Sequence, residues 1–233
     1  MCWNQTITWD DGEEHIDNFT ETLICFLMAY PDNDNSYAPE RVARHYTNFP
    51  NEFTENDIKA AEALGARGHA NAAAEDLMGD EGIHVREALE NVDINWRLFE
   101  INDDVWAQEV EPAVRAVIKA ITTIPDIGFS VGTKLLYLKR PHLIPICDRL
   151  VNTRIIGHDA RNLDEVMDCI NKIRQIGRAN LVTITTAVRH LNEHLPNGDA
   201  YVEMSLVRAL DAVIWFLEQK PRRKEYNALF RQV

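Results

Sequence analysis

Residues suited to holding a phosphate group are concentrated between Ile124 and Val151. This segment predicts a helix, a tight turn ending at Gly128, and a second helix over about Val131–Lys139. The start of a helix exposes unpaired N–H groups at its positive dipole end, which suits a phosphate oxygen. The expected contacts to a nucleic-acid backbone are Gly128, Ser130, Gly132, Lys134, Lys139 and Arg140. The alternatives are a turn and a helix contact for the glycines, and a solvated helix face for the basic residues.

A single carboxylate, Asp148, follows the apolar stretch Leu143–Cys147 and precedes a predicted helix that ends near Gly157. An aspartate in this position often caps the helix by accepting hydrogen bonds from its first N–H groups. The same carboxylate could stabilise positive charge on a sugar and orient a water molecule for attack. The sequence leaves both roles open for Asp148.

The order of residues in this segment resembles the helix-hairpin-helix DNA glycosylase superfamily. In that family a Leu-Pro-Gly-Val-Gly hairpin opens a helix, and a catalytic aspartate begins the next helix. Here Ile124-Pro125-Asp126-Ile127-Gly128 stands at the hairpin, and Asp148 lies 20 residues after Gly128. The resemblance implies hydrolysis of the N-glycosidic bond of a base flipped out of DNA, with Asp148 as the catalytic residue. Over a longer range, residues 53–57, 134–151 and 205–215 resemble an uncharacterised bacterial family that has no assigned activity.

Departures from the glycosylase pattern change what the resemblance implies. Asp126 replaces the first hairpin glycine and places a negative charge near the expected phosphate site. Ser130 stands where bifunctional members carry a Schiff-base lysine. The resemblance therefore implies a monofunctional enzyme that uses water as the nucleophile. The cysteine quartet that binds an iron–sulfur cluster in some members is absent, and no cofactor is expected.

Aromatic side chains would line a pocket for a flipped base, although a single aromatic residue is more often part of the core. The candidates are Phe129, Tyr137, Trp106 and Trp215. The alternative to an enzyme is a noncatalytic helix-hairpin-helix module that binds DNA or a protein partner. The spacing from Gly128 to Asp148 favours the enzyme. Asp126 and the modest positive charge of residues 112–233, formally +6, favour the module.

The formal net charge of the 233 residues is -13, but the two halves differ in sign. Residues 1–111 carry 25 acidic and 6 basic side chains, whereas residues 112–233 carry 12 acidic and 18 basic side chains. The halves therefore have formal charges of -19 and +6. We expect an acidic, mostly helical N-terminal half over residues 1–111 and a half that contains the helix-hairpin-helix element over residues 112–233, with one continuous domain favoured over two separate lobes. The acidic half should weaken nonspecific DNA binding by long-range repulsion.

Helical periodicity dominates the chain, so the predicted fold is an all-α helical bundle containing a helix-hairpin-helix element. Sheet signals are confined to Thr6–Trp9 and Leu143–Cys147. Thr54 and Asp57 predict a capped helix start, and Gly177 is expected to end a helix. The predicted helices are Phe19–Tyr30, about 55–64, His69–Met78, Val85–Leu89, Pro112–Thr123, Val131–Lys139, about 149–157, Asn162 or Leu163 to Ile176, Asn180–Leu195 and Tyr201–Gln219.

Other kinds of site are disfavoured. The cysteines Cys2, Cys25, Cys147 and Cys169 form no CxxC pair, which disfavours a zinc ribbon and predicts reduced, mostly buried thiols. The segment from His190 to His194 matches the H-x-x-E-H metal pattern. A third ligand would have to come from elsewhere in the chain, with Glu203 and Asp211 as candidates, and without a second signature no metal is expected. No membrane span and no secretory signal is recognised, so we expect a cytoplasmic protein.

Overall fold

The computed structural model describes residues 6–9, 14–28, 49–194 and 204–218. Strands β1 (Ile7–Trp9) and β2 (Glu14–Ile16) pair antiparallel, and the remaining regular structure of the described residues is helical. This result confirms the all-α class. The helices are α1 (Phe19–Met28), α2 (Glu55–Ala61), α3 (His69–Ala72), α4 (Ala74–Met78), α5 (Ile83–Glu90), α6 (Asp103–Val105), α7 (Glu111–Ile121), α8 (Phe129–Lys139), α9 (Arg149–Ile156), α10 (Leu163–Ala179), α11 (Leu181–His194) and α12 (Leu206–Glu218). The π-helical segments Glu62–Ala66 and Trp106–Val110 extend α2 and join α6 to α7.

Helix α8 lies in the interior, and this position decides what its polar residues can do. It packs against α2, the π-helical segment Glu62–Ala66 and α7. Every residue from Val131 to Arg140 is buried. A helix that is apolar around most of its circumference is typical of such a buried position.

The acidic and basic halves of the chain share one buried apolar cluster. Helix α2 packs on α8 and α5 packs on α7, so both contacts join residues from opposite sides of position 111. Position 111 itself lies in a continuous helical run, because the π-helical segment ends at Val110 and α7 begins at Glu111. The change from a net negative to a net positive sequence at position 111 therefore occurs inside a continuous, packed helical run.

The predicted start of α2 is confirmed. Thr54 donates hydrogen bonds from its backbone N and its Oγ1 to Asp57 Oδ2, at 2.7 and 2.9 Å. The predicted sheet signal at Thr6–Trp9 is also confirmed, because Ile7–Trp9 forms β1. Asn162 caps α10 by accepting a hydrogen bond from Glu165 N at 2.9 Å, as a helix starting at Leu163 requires.

Two local predictions are wrong. Gly177 does not end a helix but lies inside α10, where a Cβ atom would fall 2.2 Å from Cε1 of Phe99. The glycine is therefore required by packing. Leu143–Cys147 forms no strand, because the N–H groups of Ile146 and Cys147 donate to side chains instead of to a neighbouring strand.

Some predicted features fall outside the described residues. These are Cys2, Glu203, the side chains of Cys25 and His194, and the helix ends expected at Tyr30, Leu195, Tyr201 and Gln219. Cys147 and Cys169 are buried free thiols. Among the residues that the structure describes, no helix has the length and apolar character needed to cross a membrane.

Candidate active site

In the turn between α7 and α8, the residue with a strained backbone is Asp126 and not the glycine that the sequence indicated. Asp126 has φ 63°, in the left-handed region, whereas Gly128 is extended with φ -85° and ψ 178°. The backbone at Gly128 is therefore one that any residue can adopt, and the bend does not need the conformational freedom of a glycine there. A Cβ atom at Gly128 would meet no heavy atom within 4 Å, so the packing of the chain does not require a glycine there either.

Gly132 has the packing role that the sequence indicated. A Cβ atom at this position would lie 3.0 Å from Cγ2 of Ile121 and 3.5 Å from Cγ2 of Ile127. The missing side chain lets α8 approach the end of α7 closely. Gly132 is buried, so it lies inside this contact and not on a surface that could meet a phosphate.

Asp148 caps helix α9 with one of its two carboxylate oxygens. Its Oδ1 accepts hydrogen bonds from Leu150 N at 3.0 Å and Val151 N at 3.1 Å. No hydrogen bond from the described part of the chain reaches Oδ2, and the residue is half-buried. The capping role is confirmed, and one oxygen is left for another interaction.

The loop that delivers Asp148 is held by side chains from three helices. Cys147 N donates to Thr133 Oγ1 at 3.1 Å, and Ile146 N donates to Asp211 Oδ2 at 3.0 Å. Asn152 Nδ2 donates to Cys147 O at 3.3 Å. These hydrogen bonds fix the backbone immediately before the carboxylate, so Asp148 is rigidly placed.

A buried lysine lies within electrostatic range of Asp148. Lys134 Nζ donates to Gly65 O at 3.2 Å and to Ser130 Oγ at 3.4 Å. Burial lowers the pKa of Lys134, and the negative charge of Asp148 partly offsets that effect. The structure thus brings together Ser130, Lys134 and Asp148, three of the residues singled out from the sequence. Lys134 faces the interior, however, and does not form the solvated phosphate contact that was expected.

The carbonyl that accepts from Lys134 belongs to an irregular segment that sequence reasoning missed. Gly65 interrupts the π-helical segment with φ 85°, and Arg67 and Gly68 also have positive φ. The Glu62 carboxylate accepts from Gly68 N at 2.6 Å, which holds the segment closed. Two glycines three residues apart within a helical pattern were the available signal.

Asp211 is a buried carboxylate on α12 that supports the same loop. Besides accepting from Ile146 N, it accepts from Arg208 Nη1 at 2.5 Å. The Arg208 guanidinium lies 5.8 Å from the ring centroid of Tyr137. Burial raises the pKa of Asp211 to about 6. The signal for this residue was a lone acid within an apolar helical stripe.

The other two expected phosphate contacts of α8 are buried, which corrects the sequence-based expectation. Lys139 Nζ lies 2.9 Å from Asp57 Oδ2, and both side chains are fully buried. Arg140 is 2% exposed and donates to carbonyl groups, including Val92 O at 2.6 Å. Both residues stabilise the interior of the protein. Because α8 is enclosed by neighbouring helices, neither charge reaches solvent.

The candidate base-pocket aromatics have different surroundings. Trp106 is buried, donates from Nε1 to Asn171 Oδ1 at 2.8 Å and stacks with Arg174 of α10. Tyr137 is also buried but contacts Arg208 of α12. Trp106 is therefore a core residue facing α10, which corrects its assignment to a base pocket beside Tyr137. Phe129 and Trp215 are half-buried.

A cysteine nucleophile and a metal find no support in the described residues. A hydrogen bond with Cys169, together with burial, raises the pKa of the Cys147 thiol, so the thiolate that a nucleophile requires is disfavoured. Asp211, one candidate third ligand for a site at His190, is instead bonded to Arg208 and Ile146. No group of three potential metal ligands occurs within the described ranges.

Comparison with known proteins places the chain in a family. The family described as "Family of unknown function (DUF6308)" matches residues 32–218. The chain belongs to this family. No curated protein and no solved structure matches the chain. The matched range includes Lys134, Asp148 and Asp211.

Proposed function

We propose that this DUF6308 protein hydrolyses the N-glycosidic bond of a base in DNA, with Asp148 as the catalytic carboxylate. The observation that carries the proposal is the placement of Asp148. One oxygen is fixed at the start of α9, the other has no partner among the described residues, and the buried Lys134 ammonium lies within electrostatic range. Groups with perturbed pKa values beside a fixed carboxylate are frequent at catalytic sites.

In the proposed reaction the C–N bond breaks and its electron pair leaves with the base. The sugar gains positive charge, which the carboxylate of Asp148 stabilises. A water molecule forms the new C–O bond at the anomeric carbon and gives a proton to Asp148. The departing base takes a proton from solvent water, and Asp148 returns its own proton to solvent, which completes the hydrolysis.

The burial of the basic residues on α8 favours an enzyme over a module that only grips DNA. A gripping module depends on exposed cations that neutralise phosphates. Lys134, Lys139 and Arg140 are all buried, so α8 offers only its N-terminal backbone around Gly128 and Ser130. A single contact of this kind positions a substrate but gives weak nonspecific binding.

The test is base release from synthetic duplexes. Duplexes carrying uracil, hypoxanthine, 8-oxoguanine or an alkylated adenine are incubated with the wild type and with Asp148→Asn, and free base is measured by chromatography. Release by the wild type and its loss in Asp148→Asn are expected. Asp168→Asn, which removes an exposed carboxylate of α10, is the matched control and should retain release. Equal release by the wild type and Asp148→Asn would exclude Asp148 as the catalytic group.

The second candidate function is a noncatalytic module that binds DNA or a protein partner. It is favoured by the hydrogen bonds of Asp148 to Leu150 and Val151, which give the carboxylate a sufficient structural role. Retained duplex binding without base release from any substrate would support this candidate. A salt titration would then count the phosphates contacted, and affinity independent of salt would argue against both DNA functions.

A further inference from the structure

A cleft lies between residues 49–52 and helix α5. Its volume is about 390 Å³, within the range of ligand sites, and none of the groups that contact Asp148 line it. The lining residues that matter here are Phe49, Glu52, Ile83, Arg86, Glu87 and Glu90. The cleft therefore combines residues from two separate segments.

The cleft contains unusual apolar exposure. Phe49 is 51% exposed and Ile83 is 43% exposed, and both line it. In the described part of the chain, the other exposed large apolar side chains are Ile94 and Val182. Clustered apolar exposure of this kind, bordered by charged groups, marks interaction sites.

The border of the cleft is negatively charged. Glu52 is exposed on one side, and Glu87 and Glu90 are exposed on α5. None of these three carboxylates takes part in the ion pairs formed among the described residues. Arg86 lines the same cleft and offsets one of these three negative charges, while its Nη1 donates to the carbonyls of Gly79 and Met78 at 3.2 and 3.4 Å, so the border keeps a net negative charge.

A buried arginine fixes the two walls of the cleft to each other. Arg140 Nη1 donates to Pro50 O at 2.8 Å, and Nη2 donates to Asn51 Oδ1 at 2.7 Å. On the other side, Nη2 donates to Leu89 O at 2.6 Å, at the end of α5. One side chain thus ties the 49–52 segment to the helix. A cleft with fixed walls binds at lower cost because little ordering is needed.

We propose that this cleft binds a basic amphipathic segment of a protein partner. Ile83, Glu87 and Glu90 are spaced i, i+4 and i+7, so they share one face of α5. An apolar side chain of the partner seats against Phe49 and Ile83, and lysine or arginine side chains pair with the glutamates. This arrangement is complementary in charge and matches the recognition of helices by anchors at helical spacing. The same charges repel DNA, so the cleft is separate in chemistry from the candidate active site.

The test uses a fluorescein-labelled peptide of about 14 residues, built from leucine and lysine at helical spacing, and measures its binding by fluorescence anisotropy. The full chain should bind it, and Glu87→Gln/Glu90→Gln should weaken binding by about tenfold. Ile83→Ser should weaken binding by a similar factor of about ten, because it removes the apolar seat.

The matched control is Glu75→Gln/Glu109→Gln, which removes two exposed carboxylates outside the cleft. This variant should change the affinity by less than about twofold. Equal weakening by both double variants would show attraction to the overall negative charge and overturn the proposal. Binding that is insensitive to Ile83→Ser and is abolished by spermidine would indicate a polyamine site, which also overturns it. A thermal unfolding curve of each variant separates lost binding from lost folding.

Discussion

The ammonium group of Lys139 lies 2.9 Å from Oδ2 of Asp57, and neither side chain is exposed. The pair joins α8 to the start of α2, across 82 positions of sequence. Lys139 also donates to Phe49 O at 3.3 Å and lies 5.3 Å from the ring centroid of Phe53. Lys139, which was expected on a DNA-binding surface, therefore pairs internally with Asp57 and connects the two halves of the chain.

This pair predicts a large loss of stability when one partner is removed. Lys139→Met leaves the Asp57 carboxylate without its buried partner, which should lower the free energy of unfolding by about 3–5 kcal/mol. Asp57→Asn should have an effect of similar size for the opposite reason. Urea denaturation measures both values. The double variant should lose less than the sum of the two, because no uncompensated charge remains.

The exposed pair Glu55–Lys59 provides the comparison, since its side chains are 81% and 70% exposed and 3.8 Å apart. Lys59→Gln should leave the unfolding midpoint nearly unchanged, because exposed ion pairs contribute little. A loss in Lys59→Gln equal to that in Lys139→Met would contradict the role assigned to burial.

Local patterns in the sequence predicted much of the fold. The capping arrangement at Thr54, the helix over Pro112–Thr123 and the capping alternative for Asp148 all depend on interactions within a few residues, and these agree with the structure. The burial of Lys139 and Arg140 could not be derived in this way. It depends on α2 and the 49–52 segment, which meet α8 only after the chain folds.

The candidate site shows the same division between local and distant information. The spacing of Gly128, Ser130 and Asp148 was visible in the sequence, because it lies within one continuous segment. The contributions of Gly65 and Asp211 were not visible, because these residues are distant in sequence. Gly65 lies 69 residues before Lys134, and Asp211 lies 65 residues after Ile146. The one available sign was chemical, namely an acid or a glycine interrupting an otherwise regular pattern.

Asp211 predicts a defined dependence of stability on pH. Its pKa is raised to about 6 by burial, above the ordinary value of about 4 for an unfolded chain. Between these values the folded state holds a proton that the unfolded state has released. The stabilisation from this group is therefore fully present below about pH 4 and is lost as the pH rises through about 6.

Asp211→Asn removes this dependence. The difference in free energy of unfolding between the wild type and Asp211→Asn should fall by about 2–3 kcal/mol from about pH 4 to about pH 7.5. Urea denaturation at several pH values measures the difference. Arg208→Gln, which keeps the carboxylate but removes its ion-pair partner, should retain a dependence on pH. A difference between wild type and Asp211→Asn that stays constant over this range would refute the assignment.

Asp148 allows its capping and catalytic roles to be separated. Asp148→Ala removes the acceptor for Leu150 N and Val151 N and should cost about 1 kcal/mol of stability. Asp148→Asn keeps an acceptor oxygen and should remain within about 0.5 kcal/mol of the wild type. Thermal unfolding of both variants checks these values. If Asp148→Asn lost as much stability as Asp148→Ala, a loss of activity in it could not be attributed to chemistry.

Three glycines predict a graded series of substitutions to alanine. In Gly177→Ala the new Cβ would lie 2.2 Å from the Phe99 ring, which cannot move freely in the core, so a loss of about 1–3 kcal/mol or more is expected. Gly132→Ala should cost less, because its nearest neighbour is Cγ2 of Ile121 at 3.0 Å. Gly128→Ala meets nothing within 4 Å and has an ordinary φ, so its stability should match the wild type within about 0.5 kcal/mol.

Gly128→Ala also tests the proposed approach of DNA to the start of α8. If the backbone there contacts a phosphate closely, the added methyl group should weaken duplex binding while leaving the unfolding curve unchanged. Gly157→Ala is unsuitable as its control because Gly157 has φ 86°, whereas Thr153→Ala changes an exposed position on α9. Unchanged duplex affinity in Gly128→Ala, measured beside Thr153→Ala, would place DNA elsewhere on the protein and remove the backbone of this turn from the proposed site.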